Sequence, residues 1–182
     1  MAEITYFDST GESNTSVALK IALGRYHQGG IDAVILASTF GKSALQAAQV
    51  FAGSGAKLLV VGEVLDGKQS PPEEIRKSLE SQGHRVVWGT TFHDMAAFTH
   101  DQTASVVAEC YRRLSEGFKV VCEMVLIATG QGYLQPGQQV LAIAGTHRGS
   151  DTVVVATAAS FSNFKDFEIN EILCKPYRRS KN

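Results

Sequence analysis

Two apolar runs decide what this chain can become. Ile31–Ala37 (IDAVILA) and Lys57–Gly62 (KLLVVG) are hydrophobic almost throughout and rich in branched side chains. Alternating polar and apolar residues would mark a strand with one wet face. Runs without alternation mark strands covered on both faces, as in a parallel sheet between helices. Around them the apolar spacing turns helical. Asn14 stands as a cap before Ala18, Leu19, Ala22, Leu23 and Tyr26, and Gly29-Gly30 ends that helix. A second helix carries Ala44, Leu45, Ala48, Phe51 and Ala52 on one side and stops at Gly53–Gly55. Strand and helix alternate, which predicts an α/β sandwich of three layers with a mostly parallel sheet.

The rest of the chain continues that order. Ile4–Phe7 is a short extended start, and Asp66-Gly67 is a turn signal. Ser70-Pro71-Pro72-Glu73 predicts a capping box with prolines in the first helical turn. Ile75 and Leu79 then face inward, Gly83 closes the helix, and Arg85–Trp88 forms a third strand. His93–Asp101 is polar and irregular. Ala104, Val107, Ala108, Tyr111 and Leu114 mark a helix ending near Gly117. Val120–Thr129 is ambiguous by period; its length, together with the family resemblance given below, favours a buried helix. After the turn at Pro136-Gly137 come strands over Gln139–Ala144 and Asp151–Ala158. Only Gly145–Ser150 separates them, and a parallel crossover needs about a dozen residues. The last two strands should therefore pair antiparallel. The basic tail Lys175–Asn182 is expected to be solvated.

Composition narrows the function. At 182 residues the chain, 1–182, is read as a single domain with room for a core. Its 17 basic residues are balanced by 18 acidic ones, which argues against nucleic acid and anionic membrane as partners. No apolar run approaches the ~20 residues of a membrane span. Glu3, Asp8 and Glu12 stand where an export signal would be basic, so a cytoplasmic location is expected. Cys110, Cys122 and Cys174 form no C-x-x-C, which predicts reduced thiols and no zinc site. His27, His84, His93, His100 and His147 lack metal-ligand spacing, and no metal is expected. A homo-oligomer stays open.

Two segments can carry chemistry. Ser38-Thr39-Phe40-Gly41-Lys42-Ser43 follows a buried strand and opens a helix, the arrangement that turns free amides toward an anion. Gly41-Lys42-Ser43 matches the end of a P-loop, but Leu36 replaces its first glycine, so a nucleoside triphosphatase is excluded. What survives is a phosphate cup from the hydroxyls of Ser38, Thr39 and Ser43, the Gly41 amide region and Lys42. The plain alternative is a helix cap and a turn. The second segment is Gly145-Thr146-His147-Arg148-Gly149-Ser150-Asp151-Thr152, a site loop or a simple hairpin. Gly130-x-Gly132 lacks the third glycine of a dinucleotide fingerprint. Glu123, inside an apolar run, is a general base, a polar anchor or an acid bonded to backbone N–H.

The stretch from Val34 to Ala44 resembles the effector-phosphate loop of the pyruvate kinase C-terminal domain. With Asn14-Thr15, Cys122-Glu123, Pro136-Gly137 and G-T-H-R-G-S-D-T in the same order, the chain resembles a stand-alone archaeal and bacterial family with a pyruvate kinase C-terminal domain-like fold. The likeness spans about Phe7 to Pro176. It implies a mixed five-stranded sheet whose last core strand is antiparallel, and a flavin mononucleotide (FMN) cofactor. By position, Ser38, Thr39, Gly41, Lys42 and Ser43 would hold the phosphate. Asn14, Thr15, Thr146, Arg148, Gly149, Asp151 and Thr152 would contact the ribityl chain or ring. Gly41, Gly145 and Gly149 are the glycines expected to face ligand, and Gly41→Val is expected to crowd the cup without harming the fold. Pyruvate kinase catalysis does not transfer, because its barrel needs ~250 residues. A phosphorylated small molecule is therefore the expected partner. Whether the chain is a simple binder, a flavin-dependent oxidoreductase using Glu123, His147 or Asp151, or a phosphosugar-responsive module stays open.

Overall fold

The computed structural model describes residues 3–65, 68–89 and 102–179. The two apolar runs form parallel strands, with Val34 opposite Leu58 and Ala37 opposite Val61. In chain order the strands are β1 (Thr5–Phe7), β2 (Ala33–Ala37), β3 (Leu58–Gly62), β4 (Val64–Leu65), β5 (Lys68–Gln69), β6 (Arg85–Trp88), β7 (Gln139–Ala144), β8 (Thr152–Thr157) and β9 (Glu168–Pro176). The helices are α1 (Thr15–His27), α2 (Lys42–Val50), α3 (Glu73–Ser81), α4 (Gln102–Arg112) and α5 (Glu116–Gly130).

Successive residues of a strand face opposite sides, so an unbroken apolar strand feeds two cores. Val34, Leu36 and Val60 enter one core, beneath Ala18 and Leu19 of α1, Ala47 of α2 and Leu79 of α3. Ile35, Leu59 and Val61 enter the other, beneath Phe118, Val121 and Val125 of α5. The segment with ambiguous periodicity is thus the inside of α5, with α4 packed on it. On α2 it is Ala47, not Ala52, that shares the buried side with Ala44 and Ala48.

The sheet is mixed, as expected, but has seven strands in the order β1-β9-β8-β7-β2-β3-β6; β4 and β5 pair separately. The short link does reverse the chain, and β7 and β8 run antiparallel from Gln139 opposite Thr157 to Ala144 opposite Thr152. The five-strand expectation falls short by β9 and β1 at one edge. β9 pairs antiparallel with β8, and β1 lies parallel to β9 with Thr5 opposite Cys174. Register shifts between Val153 and Val154 and between Val155 and Ala156 break the two-residue period that would have announced β9. Lys175 belongs to this strand and is buried, its Nζ donating to the Pro176 carbonyl at 2.6 Å, so that part of the tail is not solvated.

Three expected caps also differ. Asn14 precedes α1, but its side chain donates to the Ser9 carbonyl at 2.8 Å and caps nothing. Pro72, not Ser70, directly precedes α3, so no capping box forms. α4 stops at Arg112, and Gly117 lies in the first turn of α5, where a Cβ would meet Asp151 Oδ1 at 2.8 Å and run into Thr152 Oγ1. The turn at Asp66-Gly67 and the segment His93–Asp101 lie outside the described residues.

Beyond β3 the chain is braced. Ser70 Oγ donates to the Glu63 carbonyl at 2.8 Å and accepts from the Glu63 amide at 3.0 Å, while the Ser70 amide donates to the same carbonyl at 2.8 Å. The Ser70 carbonyl accepts from Trp88 Nε1 at 2.5 Å. A Cβ on Gly62 would drive straight into that carbonyl. Gly62→Ala should therefore lower the urea midpoint, costing about 3 kcal/mol by overpacking.

Arg25 ties α1 to β9 through Glu171, its Nε and Nη2 donating to the carboxylate at 2.7 to 3.1 Å. These bonds hold the Glu171 carboxyl below its ordinary value. A depressed carboxylate contributes stability above its unfolded value, near pH 4.3, and loses it as pH falls through the folded one. With the pair partly exposed, Glu171→Gln should cost about 1 kcal/mol at neutral pH. Chemical unfolding near pH 3 should show a smaller penalty.

Candidate functional site

Ligands of open α/β sheets sit beyond the carboxyl ends of parallel strands, where neighbouring connections depart in opposite directions. β2 and β7 are such neighbours. β2 leads through α2 toward β3 on one side, and β7 turns back into β8 on the other. The loops that follow them border one cleft of about 1230 Å³, closed on its far side by α4 and α5. Ser38, Thr39, Lys42 and Ser43 line it from the first loop and the start of α2. Gly145, Thr146, Arg148 and Gly149 line it from the second. Asn14, Thr15, Gly41, Asp151 and Thr152 are not on its lining.

In the first loop Gly41 precedes α2 at φ 83°, a conformation that suits glycine. The Ala44 amide donates to Ser38 Oγ at 3.2 Å and the Leu45 amide to the Gly41 carbonyl at 2.9 Å. The amides of Thr39, Phe40, Gly41, Lys42 and Ser43 have no acceptor among the described residues. Such donors at a helix start form the positive end of its dipole. The Lys42 ammonium meets the Glu12 carboxylate across the mouth of the cleft. That contact, with a weaker contribution from Arg148, holds Glu12 below its ordinary value.

Gly41 plays a different part from the one expected. A Cβ there would lie 2.7 Å and 2.8 Å from the Ile75 side chain and 2.9 Å from Pro71 Cβ. Its missing side chain admits α3 rather than a ligand. Gly41→Val would disturb the packing of α2 on α3, so the expectation of an unharmed fold is withdrawn.

The second loop is organised by a buried carboxylate. Asp151 has no solvent-exposed surface. Its Oδ2 accepts from the Gly11 amide at 2.7 Å and the Thr146 amide at 3.2 Å, and its Oδ1 accepts from Thr152 Oγ1 at 2.8 Å. Thr152 Oγ1 lies 3.2 Å from Ser115 Oγ, which caps α5 by accepting from the Phe118 amide at 2.9 Å. Thr15 Oγ1 donates to the Glu12 carbonyl and accepts from the Ser150 amide, both at 2.9 Å. Thr15, Asp151 and Thr152 thus build the wall behind the cleft. At its tip His147 takes a left-handed φ of 57°, and the Arg148 guanidinium sits 5.5 Å from the Phe40 ring centre, joining the two loops.

The far wall is charged but internally matched. Arg112 donates to Glu116 at 2.7 Å and to Glu109 at 2.8 Å. Lys119 Nζ lies 2.8 Å from Glu123 and 3.6 Å from Glu116. Glu123 is buried, pairs with Lys119 one helical turn away and does not line the cleft.

Sequence reasoning missed Glu12, Glu63, Arg112, Lys119 and Arg179, all of which line the cleft. Glu63 alone had a legible signal, since it directly follows the buried run at a carboxyl end. Elsewhere, burial pushes the Cys174 thiol up to about 12, and Cys122 is raised for the same reason. Among the described residues no group of His, Cys, Asp or Glu is placed to hold a metal ion. No helix among them is long and apolar enough to cross a membrane.

No family model matches the chain. Asp151→Ala would leave two inward amides without their acceptor and should cost about 3 kcal/mol in urea unfolding. Asp151→Asn, which keeps an acceptor oxygen, should cost less.

Proposed function

We propose that this protein binds a phosphorylated small molecule in the cleft between residues 38–43 and 145–149, with the phosphate on the amides of the first loop. The observation that carries this reading is the run of five consecutive amides without an acceptor among the described residues, beside Arg148. A helix start contributes about 0.3–2 kcal/mol to an anion, and each charge-assisted hydrogen bond adds about 1.5–3 kcal/mol. Lys42 joins in only when Glu12 gives way. Ser38 already accepts from Ala44, so it has its hydroxyl proton to offer.

The resemblance to the pyruvate kinase C-terminal domain-like family is part of the same proposal and makes flavin mononucleotide the leading ligand. The residues present fit it. The cleft is somewhat larger than the ~300–1,000 Å³ typical of ligand sites. Its first loop suits one phosphate, and Phe40, Ala37 and Val120 supply apolar surface for a ring. Bound flavin would supply electron-transfer chemistry. The chain's own part would be to seat the phosphate and hold the ring against that surface. Asp151 and Glu123 are committed to internal bonds, so neither supports an acid–base role.

Purified protein should show flavin absorbance, or acquire it with added flavin mononucleotide. Ligand at a hundredfold excess over its dissociation constant should stabilise the fold by about 2.7 kcal/mol. Arg148→Ala should weaken binding about tenfold through loss of a charged donor. Absence of any thermal shift with flavin mononucleotide or inorganic phosphate would overturn the reading.

A further inference from the structure

One wall residue of the cleft is built differently from the others. Glu63 follows β3, beside the first loop, and lines the same cavity. Its backbone is locked, since both its amide and its carbonyl are bonded to Ser70, whose own carbonyl is held by Trp88. Gly62 lacks the side chain that would forbid this approach. On that braced backbone sits a solvent-exposed carboxylate on the cavity lining, with no hydrogen bond or ion pair to another described residue. The other acids of the cavity are engaged: Glu12 by Lys42, and Glu109 and Glu116 by Arg112. Among the described residues, Glu63 is the acid of the cavity left to accept from a ligand.

The cations sharpen the point. Arg112 and Lys119 face the cavity from the α4–α5 wall, but each is already bonded to carboxylates; Arg179 lines the cavity from the chain beyond β9. The far wall therefore offers little uncommitted positive charge to a second anionic group. One end of the cleft suits an anion. The region around Glu63 suits hydrogen-bond donors and repels negative charge.

We infer that Glu63 is a specificity-determining residue. It accepts hydrogen bonds from hydroxyl or ring N–H groups of the ligand and selects monophosphorylated, donor-bearing molecules, such as nucleotides or polyol phosphates, over bisphosphates. The inference rests on the phosphate-binding reading above and names the class of molecule that site takes. No bond is made or broken in it.

Calorimetric titration of the full chain and of Glu63→Gln tests it, with inorganic phosphate, flavin mononucleotide and fructose 1,6-bisphosphate as probes. A neutral amide keeps one acceptor but removes the charge. The variant should melt with the wild type and bind inorganic phosphate within about twofold. Its preference for flavin mononucleotide over the bisphosphate should fall about tenfold, the size of one charge-assisted hydrogen bond. A preference unchanged in Glu63→Gln, with phosphate still bound, would overturn the role of Glu63 and leave the phosphate site standing. Tighter wild-type binding of the bisphosphate than of flavin mononucleotide would also overturn it. Wild-type protein that binds none of the three probes would overturn the phosphate site itself, and the Glu63 inference with it.

Discussion

The arrangement of the cleft depends on one buried anion. Asp151 sits just before β8, at the hinge where the sheet reverses direction, and its oxygens reach the turn before α1, the second loop and Thr152. A fully desolvated carboxylate is tolerated only when its lone pairs are met. Here three donors meet them, Gly11 from the turn before α1 and Thr146 and Thr152 from either end of the second loop. Because Thr152 also touches Ser115, the cap of α5, the same anchor sets where the opposite helical layer begins. Gly117 completes the fit by leaving space for both Asp151 and Thr152.

Around that anchor, charge is distributed unevenly. The α4–α5 wall carries Glu109, Arg112, Glu116, Lys119 and Glu123 at three- and four-residue spacings, and each finds an opposite partner along the helices. The sheet side carries Arg148 over Phe40 and, without partners among the described residues, the amides of residues 39–43 and the carboxylate of Glu63. A ligand meeting both walls would find a neutralised surface on one and polar groups in need of partners on the other. Binding energy should therefore come mostly from the loop side.

What could be read in the chain follows from how far each signal travels. Runs such as IDAVILA and KLLVVG announce buried strands by composition alone, and the short Gly145–Ser150 link settles the direction of β8 through chain length. Both expectations match the structure. β9 was illegible because its pattern is interrupted by bulges; β1 was legible as the extended start Ile4–Phe7, but three residues carry too little period to show that it joins the sheet. In the site, the glycine-rich loops were visible, but the reason for each residue was not. At Gly41 a Cβ would meet Ile75 of α3, and the expected ligand contacts Asp151 and Thr15 also carry bonds within the fold. Those roles depend on Ile75, Gly11 and Ser150, which reach them only through tertiary folding.

The strand order has a further consequence. The longest strands, β7, β8 and β9, lie inside the sheet, while its two margins are β1, with three residues, and β6, with four. Open margins are the usual template for another chain to add a strand, and short ones give it little to pair with. Tyr6 projects from one margin, and Arg85, leaning over the Tyr133 ring, begins the other. Such a molecule is protected against runaway sheet extension.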